Sequence, residues 1–221
     1  MRNIAWLLIM ITAVVVSGCH NMGGGVRGSG KRVMQKREIG DFKSISTQGA
    51  FDIRVVCQKP VSLELEGDDN IVGLISTEVS GGVLYLKSLR DYRVSEPILF
   101  RISIPDLEAL SVSGAGKIDI SGLNNERFEI DSSGAPNIKA AGITKFVDID
   151  SSGAAKIDTH KLQAARAVVD SKGVSKIDLD VKDQLDVTIS GPSTVTYEGD
   201  PVVNKTVHGP GKLERKVTEG T

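Results

Sequence analysis

Asp148-Ile149-Asp150-Ser151-Ser152-Gly153-Ala154-Ala155-Lys156-Ile157-Asp158 is one turn of a repeat, because close copies of it recur on both sides. The equivalent glycines are Gly114, Gly134, Gly153, Gly173, Gly191 and Gly209, separated by 20, 19, 20, 18 and 18 residues, with Gly49 an earlier outlier of the same type. A period that short marks stacked coils. Four residues after each glycine stands an aliphatic side chain: Ile53, Ile118, Ile138, Ile157, Ile177, Val195 and Leu213. Four residues before it runs a second column, Ile45, Leu110, Ile130, Ile149, Val169 and Val187, which ends in Lys205. A third column falls nine residues after the glycine in Leu123, Ile143 and Leu162, with Val181 one place early. A fourth lies six before it in Phe128, Val147, Ala167 and Leu185.

The flanks of these columns alternate, as in Lys117-Ile118-Asp119 and Lys156-Ile157-Asp158, which is the period of a strand with one wet face. β-Branched residues dominate the columns, and Gly, Ser, Asn and Pro interrupt them too often for a crossover helix. The pattern predicts an all-β fold, a single parallel β-solenoid with coils of about 18–22 residues, each holding two or three short strands. One coil cannot bury its apolar side alone. Stacking superimposes Ile on Ile, and each fully buried aliphatic is worth roughly 1.5–3 kcal/mol. The corner glycine is expected to need a positive φ or a close backbone approach. The serines before it, Ser113, Ser133, Ser152 and Ser190 with Ser132, Ser151 and Ser171 one place earlier, are placed to hydrogen-bond from coil to coil rather than to act as nucleophiles.

Residues 1–18 carry one charge, Arg2, and an apolar run of 13 residues from Ile4 to Val16, too short to span a bilayer comfortably. This reads as a signal peptide. Val16-Ser17-Gly18-Cys19 follows and resembles the bacterial lipobox, which makes Cys19 the expected lipid-attachment residue and first mature residue. Two or more acyl chains anchor stably where one is marginal. The next residue is His20 rather than Asp, which by the sorting rule of enteric bacteria favours the outer membrane. Residues 19–32 then form a Gly-rich tether. Within it, Gly23, Gly25 and Gly28 spell G-x-G-x-x-G, but a dinucleotide cradle needs a preceding strand, and here a cysteine expected to carry lipid precedes it.

The solenoid domain is expected over residues 33–215: irregular coils at 33–110, regular repeats at 111–199 and a C-terminal cap at 200–215, with 216–221 a tail. The 65 residues from Gly49 to Gly114 would fill three coils of about 22. Glu66-Gly67-Asp68-Asp69-Asn70 reads as a loop whose Asp68 and Asp69 are either solvated or ligands of a hard cation. Cys57, in an apolar run, reads as a buried small hydrophobe, and no disulfide framework exists. Lys205, Glu214 and His208-Gly209-Pro210-Gly211 in the last coil oppose end-to-end pairing.

Gly40-Asp41-Phe42-Lys43-Ser44-Ile45, Gly49-Ala50-Phe51-Asp52-Ile53, Gly67-Asp68-Asp69-Asn70-Ile71, Ile75-Ser76-Thr77-Glu78-Val79, Ile104-Pro105-Asp106-Leu107 and the Ser-Gly-Ala-x-Lys-Ile-Asp coils together resemble the head GIN domain family of auto-transporter adhesins, over about residues 38–215. The resemblance implies a right-handed parallel β-helix in secreted or lipid-anchored bacterial proteins, and adhesion as the expected role. Lysine replaces the family's usual aspartate at Lys117, Lys156, Lys176 and Lys212, which argues against an acidic-ladder ligand.

Without residues 1–18 the chain keeps 26 basic and 28 acidic residues, a net charge of −2 with His neutral, so no basic field for nucleic acid exists. The carboxylate pairs Asp148/Asp150, Asp178/Asp180 and Asp119/Asp158 raise a polysaccharide lyase or glycosidase as an alternative. Their repetition coil after coil, and the loss of Trp6 with the leader, favour a solvated ladder. His20 in the tether, His160 in an inter-strand turn and His208 in the cap form no metal or triad constellation, so no catalytic residue, metal or cofactor is expected. The sequence reads as a lipid-anchored cell-envelope scaffold binding a glycan or protein through its outward Lys, Asp, Asn and Ser ladder. A structural or regulatory envelope protein that engages another protein through a strand edge is the third reading.

Overall fold

The computed structural model describes residues 25–216. The expected signal peptide at 1–18 and the lipid-attachment residue Cys19 lie outside the described residues. Apart from a 3-10 turn at Val72–Leu74, the regular structure of the described residues is strand, wound into a β-solenoid of about 5 turns.

The coil columns pair as their spacing requires. Ile53, Ile118, Ile138, Ile157, Ile177, Val195 and Leu213 are consecutive parallel partners. So are Ile45, Leu110, Ile130, Ile149, Val169, Val187 and Lys205 along the other side. Phe128, Val147, Ala167 and Leu185 form the further ladder. All these apolar residues except Leu213 are buried in one continuous core. The two sides define a first face, carrying the residues just after each glycine, and a second face, carrying those just before it.

The third column differs from its expected membership. Leu123 and Leu162 are buried, but Gly142 stands between them in register and Ile143 is 58% exposed. The buried residue of that coil is Thr144, aligned with Ala164 and Val181. A one-place register slip turns a side chain to the opposite face, so Ile143 points to solvent.

Close approach explains five of the corner glycines, while Gly49 (φ 133°) and Gly209 (φ 93°) have the positive φ instead. A Cβ on Gly114, Gly134, Gly153, Gly173 or Gly191 would collide with the backbone carbonyl oxygen of the glycine one coil below, and none of the five has a positive φ. Beside them runs a buried hydroxyl ladder. Ser171 Oγ donates to Ser193 Oγ at 2.7 Å, Ser151 Oγ and Ser175 Oγ lie 2.7 Å apart, and Ser193 Oγ donates to the Gly173 carbonyl at 2.9 Å.

The stretch between Gly49 and Gly114 is not three coils. Ile45 and Ile53 pair directly with Leu110 and Ile118, so the intervening chain leaves the stack and returns. Val83–Ser88 and Ile98–Ile104 run parallel beneath Ser44–Gln48 and Phe51–Cys57, forming a coil that comes later in sequence but earlier in space. Antiparallel strands finish that end: Ile75–Ser80 on Val83–Ser88, and Ser62–Asp68 on Ile98–Ile104, with Arg32–Arg37 outside it. The alternation that marked these strands is the same in either direction, so spacing alone could not distinguish them from coils.

Part of the expected tether is held against the domain. Val26–Arg27 pairs with Tyr92–Arg93, Gly30 N–H donates to Asp68 Oδ2 at 2.9 Å, and Ser29 Oγ donates to Asp69 Oδ1 at 2.6 Å. Asp68 is buried, and with Asp69 it accepts hydrogen bonds from this segment. Cys57 is buried and free, and desolvation pushes its thiol up to about 11, which suits a packing role.

Candidate functional site: the ladders and the His160 groove

Parallel neighbours lie about 4.8 Å apart, so outward columns become ladders at that repeat. On the first face Lys117, Asn137, Lys156, Lys176, Thr194 and Lys212 form one ladder, and Asp119, Lys139, Asp158, Asp178, Thr196 and Glu214 the next. Lys117 reaches Asp119 at 3.1 Å and Lys176 reaches Asp178 at 3.9 Å. On the second face Asp131, Asp150 and Asp170 stack in register. Lys172 bridges Asp170 at 2.9 Å and Asp150 at 3.6 Å. Arg127 lies 4.8 Å over the Phe146 ring and pairs with Asp148 at 2.8 Å.

The carboxylate pairs considered for hydrolysis are therefore dispersed. Asp148 and Asp150 belong to the second face and are tied to Arg127 and Lys172. Asp119 and Asp158 share a column with Lys139 between them. Asp178 alternates with Asp180 along one strand of the first face.

One place on the first face is hollowed. The register between Lys156–Ser171 and Lys176–Ile189 slips between Thr159 and Gln163. Thr159 and Leu162 both stay buried, Thr159 donating its hydroxyl to the Asp178 carbonyl at 3.0 Å. The chain between them bulges outward, so His160 has no register partner in either neighbouring coil, while Lys161 still pairs with Ala141. His160 then borders a cavity of about 300 Å³ lined by Asp158, Lys176, Asp178, Leu179, Thr196, Glu198 and Lys216. A smaller hollow of about 140 Å³ on the other side adds Asp119, Lys139 and Lys161. The two make a groove across the ladders with His160 on its ridge.

His160 is not an isolated turn residue. Its Nδ1 contacts Asp158 Oδ1, and its backbone N–H points at the same oxygen at 3.4 Å. With Nδ1 held by the carboxylate, Nε2 is the ring nitrogen left for a ligand. Burial pushes the Asp158 carboxyl up, but the bonds and charge of His160, helped by Lys139, outweigh it and hold the group below its ordinary range. Asp180 moves the opposite way: burial and then the Glu198 charge raise it against the pull of Lys182 and His160. Lys216 pairs with Glu198 at 2.6 Å at the groove's edge. Among the described residues no group of three or more His, Cys, Asp and Glu is arranged to hold a metal ion.

The grouping of Asp158 with His160 was present in the sequence as Asp158-Thr159-His160, where a period of two puts both on one side of a strand. The coil from Gly153 to Gly173 is also two residues longer than the one after it, 20 against 18, which signals the bulge. The approach of Glu198 and Lys216 depends on the final coils and had no such signal.

Solved structures resemble this fold to different degrees. The crystal structure of a "putative adhesin" from Bacteroides fragilis has a TM-score of 0.71 at 22% identity, covering 87% of this chain and 100% of that one. A "putative lipid binding protein" from Parabacteroides distasonis matches at 0.49 and 19% identity, covering 87% of this chain and 99% of its own. A "putative adhesin" from Parabacteroides merdae matches at 0.47 and 18%, with the same coverages. At these identities the likeness is one of fold. Comparison with curated proteins found no match. The family described as "Putative auto-transporter adhesin, head GIN domain" matches residues 41–201, and the chain belongs to that family.

Proposed function

We propose that the protein is a lipid-anchored binding scaffold of the cell envelope, attached to the outer membrane through Cys19, which engages its ligand on the first face at the His160 groove and performs no catalysis. Family membership supports a binding or adhesion role and a cell-surface or envelope location. The observation that carries the choice of face is the groove itself: among the described residues, it is where the ladders, an imidazole held by a carboxylate and a concavity of about 300 Å³ coincide. Lysines and carboxylates alternate across it at a fixed repeat, which suits a glycan or protein segment bearing repeated polar groups.

A glycan and matrix-protein array tests this, comparing wild type with Lys176→Gln/Asp178→Asn on the first face and Asp150→Asn/Lys172→Gln on the second. Loss of a bound ligand in the first-face variant alone is expected. Loss in the second-face variant alone would move the site.

One observation favours a hydrolase instead. Asp158, which lines the groove, is held low and Asp180, two residues beyond the groove's Asp178, is held high, and separated carboxyl affinities are how acid and base roles are divided. Release of reducing ends from a polysaccharide panel by wild type, abolished in Asp180→Asn, would replace the scaffold reading.

A further inference from the structure

We infer that the loop of residues 88–97, together with Arg27, is a docking surface for anionic phospholipid headgroups of the membrane that carries the anchor; this rests on the proposed lipidation of Cys19. Three observations lead there. The first is reach. Six residue steps separate Cys19 from Gly25, and a fully extended chain covers about 20 Å in that distance. Gly25 is fixed on the domain: a Cβ there would press on the Asp91 carbonyl, Val26 N–H donates to Asp91 O at 2.8 Å, and Gly28 N–H donates to Arg93 O at 2.8 Å. The anchor therefore leaves the domain beside this loop and holds it near the headgroups.

The second observation is charge. Arg27 and Arg93 are register partners in a two-stranded parallel ribbon, and both are exposed, while Val26 and Tyr92 beside them are half-buried. Like charges placed side by side repel. Arg90 and Arg93 both line an open cleft of about 660 Å³. None of the three guanidiniums makes an ion pair among the described residues, and Glu96, the loop's second acid after Asp91, is engaged by Arg32 at 3.7 Å. Three cations thus face one free-standing carboxylate, Asp91. The third observation is that Leu89, next to Arg90, is 61% exposed. An exposed apolar side chain among arginines is the composition of an interfacial contact, the apolar part entering the headgroup boundary while the cations meet phosphate.

The purified full-length lipoprotein, reconstituted into vesicles of phosphatidylcholine alone or mixed with phosphatidylglycerol, tests this by amide hydrogen exchange. Each arginine near an anionic surface contributes about fivefold, so exchange in 88–97 should slow by about tenfold or more in the anionic vesicles. Residues 202–215, at the far end of the stack, should exchange alike in both. Arg90→Gln/Arg93→Gln should abolish the difference while melting as wild type does. Intact mass of the same sample separates the two ways of failing. A lipidated protein whose loop exchanges equally in both vesicles overturns the docking surface alone; a protein without lipid overturns the anchor and the docking surface with it.

Discussion

Replacing Gly153 by alanine probes the stacking geometry at one of its closest approaches. The added Cβ would fall on the Gly134 carbonyl oxygen, a backbone atom that cannot rotate away. Relief requires the two coils to part at the corner, where Ala154 N–H donates to Gly134 O at 2.9 Å and Val174 N–H donates to Gly153 O at 2.9 Å. Two hydrogen bonds at about 1 kcal/mol each, with about 1–3 kcal/mol of overpacking strain, give a loss of about 3–5 kcal/mol. For a domain of this size that lowers the melting midpoint by about 6–20 °C. Gly40 supplies the control: an added methyl group would meet nothing within 4 Å there, and its φ is not positive, so Gly40→Ala should be neutral or gain about 0.4–1 kcal/mol. Far-UV circular dichroism melts of the three proteins decide it. A Gly153→Ala protein that melts with wild type would refute close approach as the reason for the glycine column.

Two further predictions concern the core and the groove. Leu162→Ala should cost about 2–5 kcal/mol by leaving a cavity, whereas Ile143→Ser, one coil earlier in the expected column, should stay within about 0.5 kcal/mol; urea midpoints that reversed this order would contradict the observed register. Asp158 in the groove and Asp180 beside it should respond to pH in opposite directions. Asp158 is held low, so its charged form stabilises the fold above about pH 3.9, and that contribution disappears as pH falls through its folded value; Asp158→Asn should lower the midpoint at pH 7, with the gap closing in acid. Asp180 is held high, so its charge opposes folding at neutral pH and the penalty vanishes as pH falls through its raised value; Asp180→Asn should raise the midpoint at pH 7. Melts in which both substitutions shift the midpoint in the same direction at pH 7 would contradict the assignment.

The columns on Ile157 and Ile149 could be read from sequence because a parallel stack repeats its burial at a fixed spacing, and every in-register neighbour obeys it. Ile143 misleads because Gly142 occupies its register place, and a bulge of one residue is invisible to a count of nine from the glycine. Residues 58–108 mislead for a different reason. Antiparallel and parallel strands alternate identically, and nothing in Leu63 or Leu65 records that their strand runs against Ile98–Ile104. His160 reads as a turn residue because its role depends on Thr159 and Leu162 both being anchored inward, which forces the bulge between them. Asp68 and Asp69 look like a free acidic loop because their donors, Gly30 and Ser29, come from a segment whose composition reads as tether.

Intact mass and membrane fractionation of wild type and Cys19→Ala expressed in a bacterium, with protease added to whole cells, test whether a lipid on Cys19 holds the protein in the envelope. Lipid anchoring predicts a wild-type protein cut before Cys19, carrying the mass of its acyl chains, in the outer-membrane fraction and open to the protease, and a Cys19→Ala protein without that mass. A wild-type protein that is unmodified and soluble would contradict it.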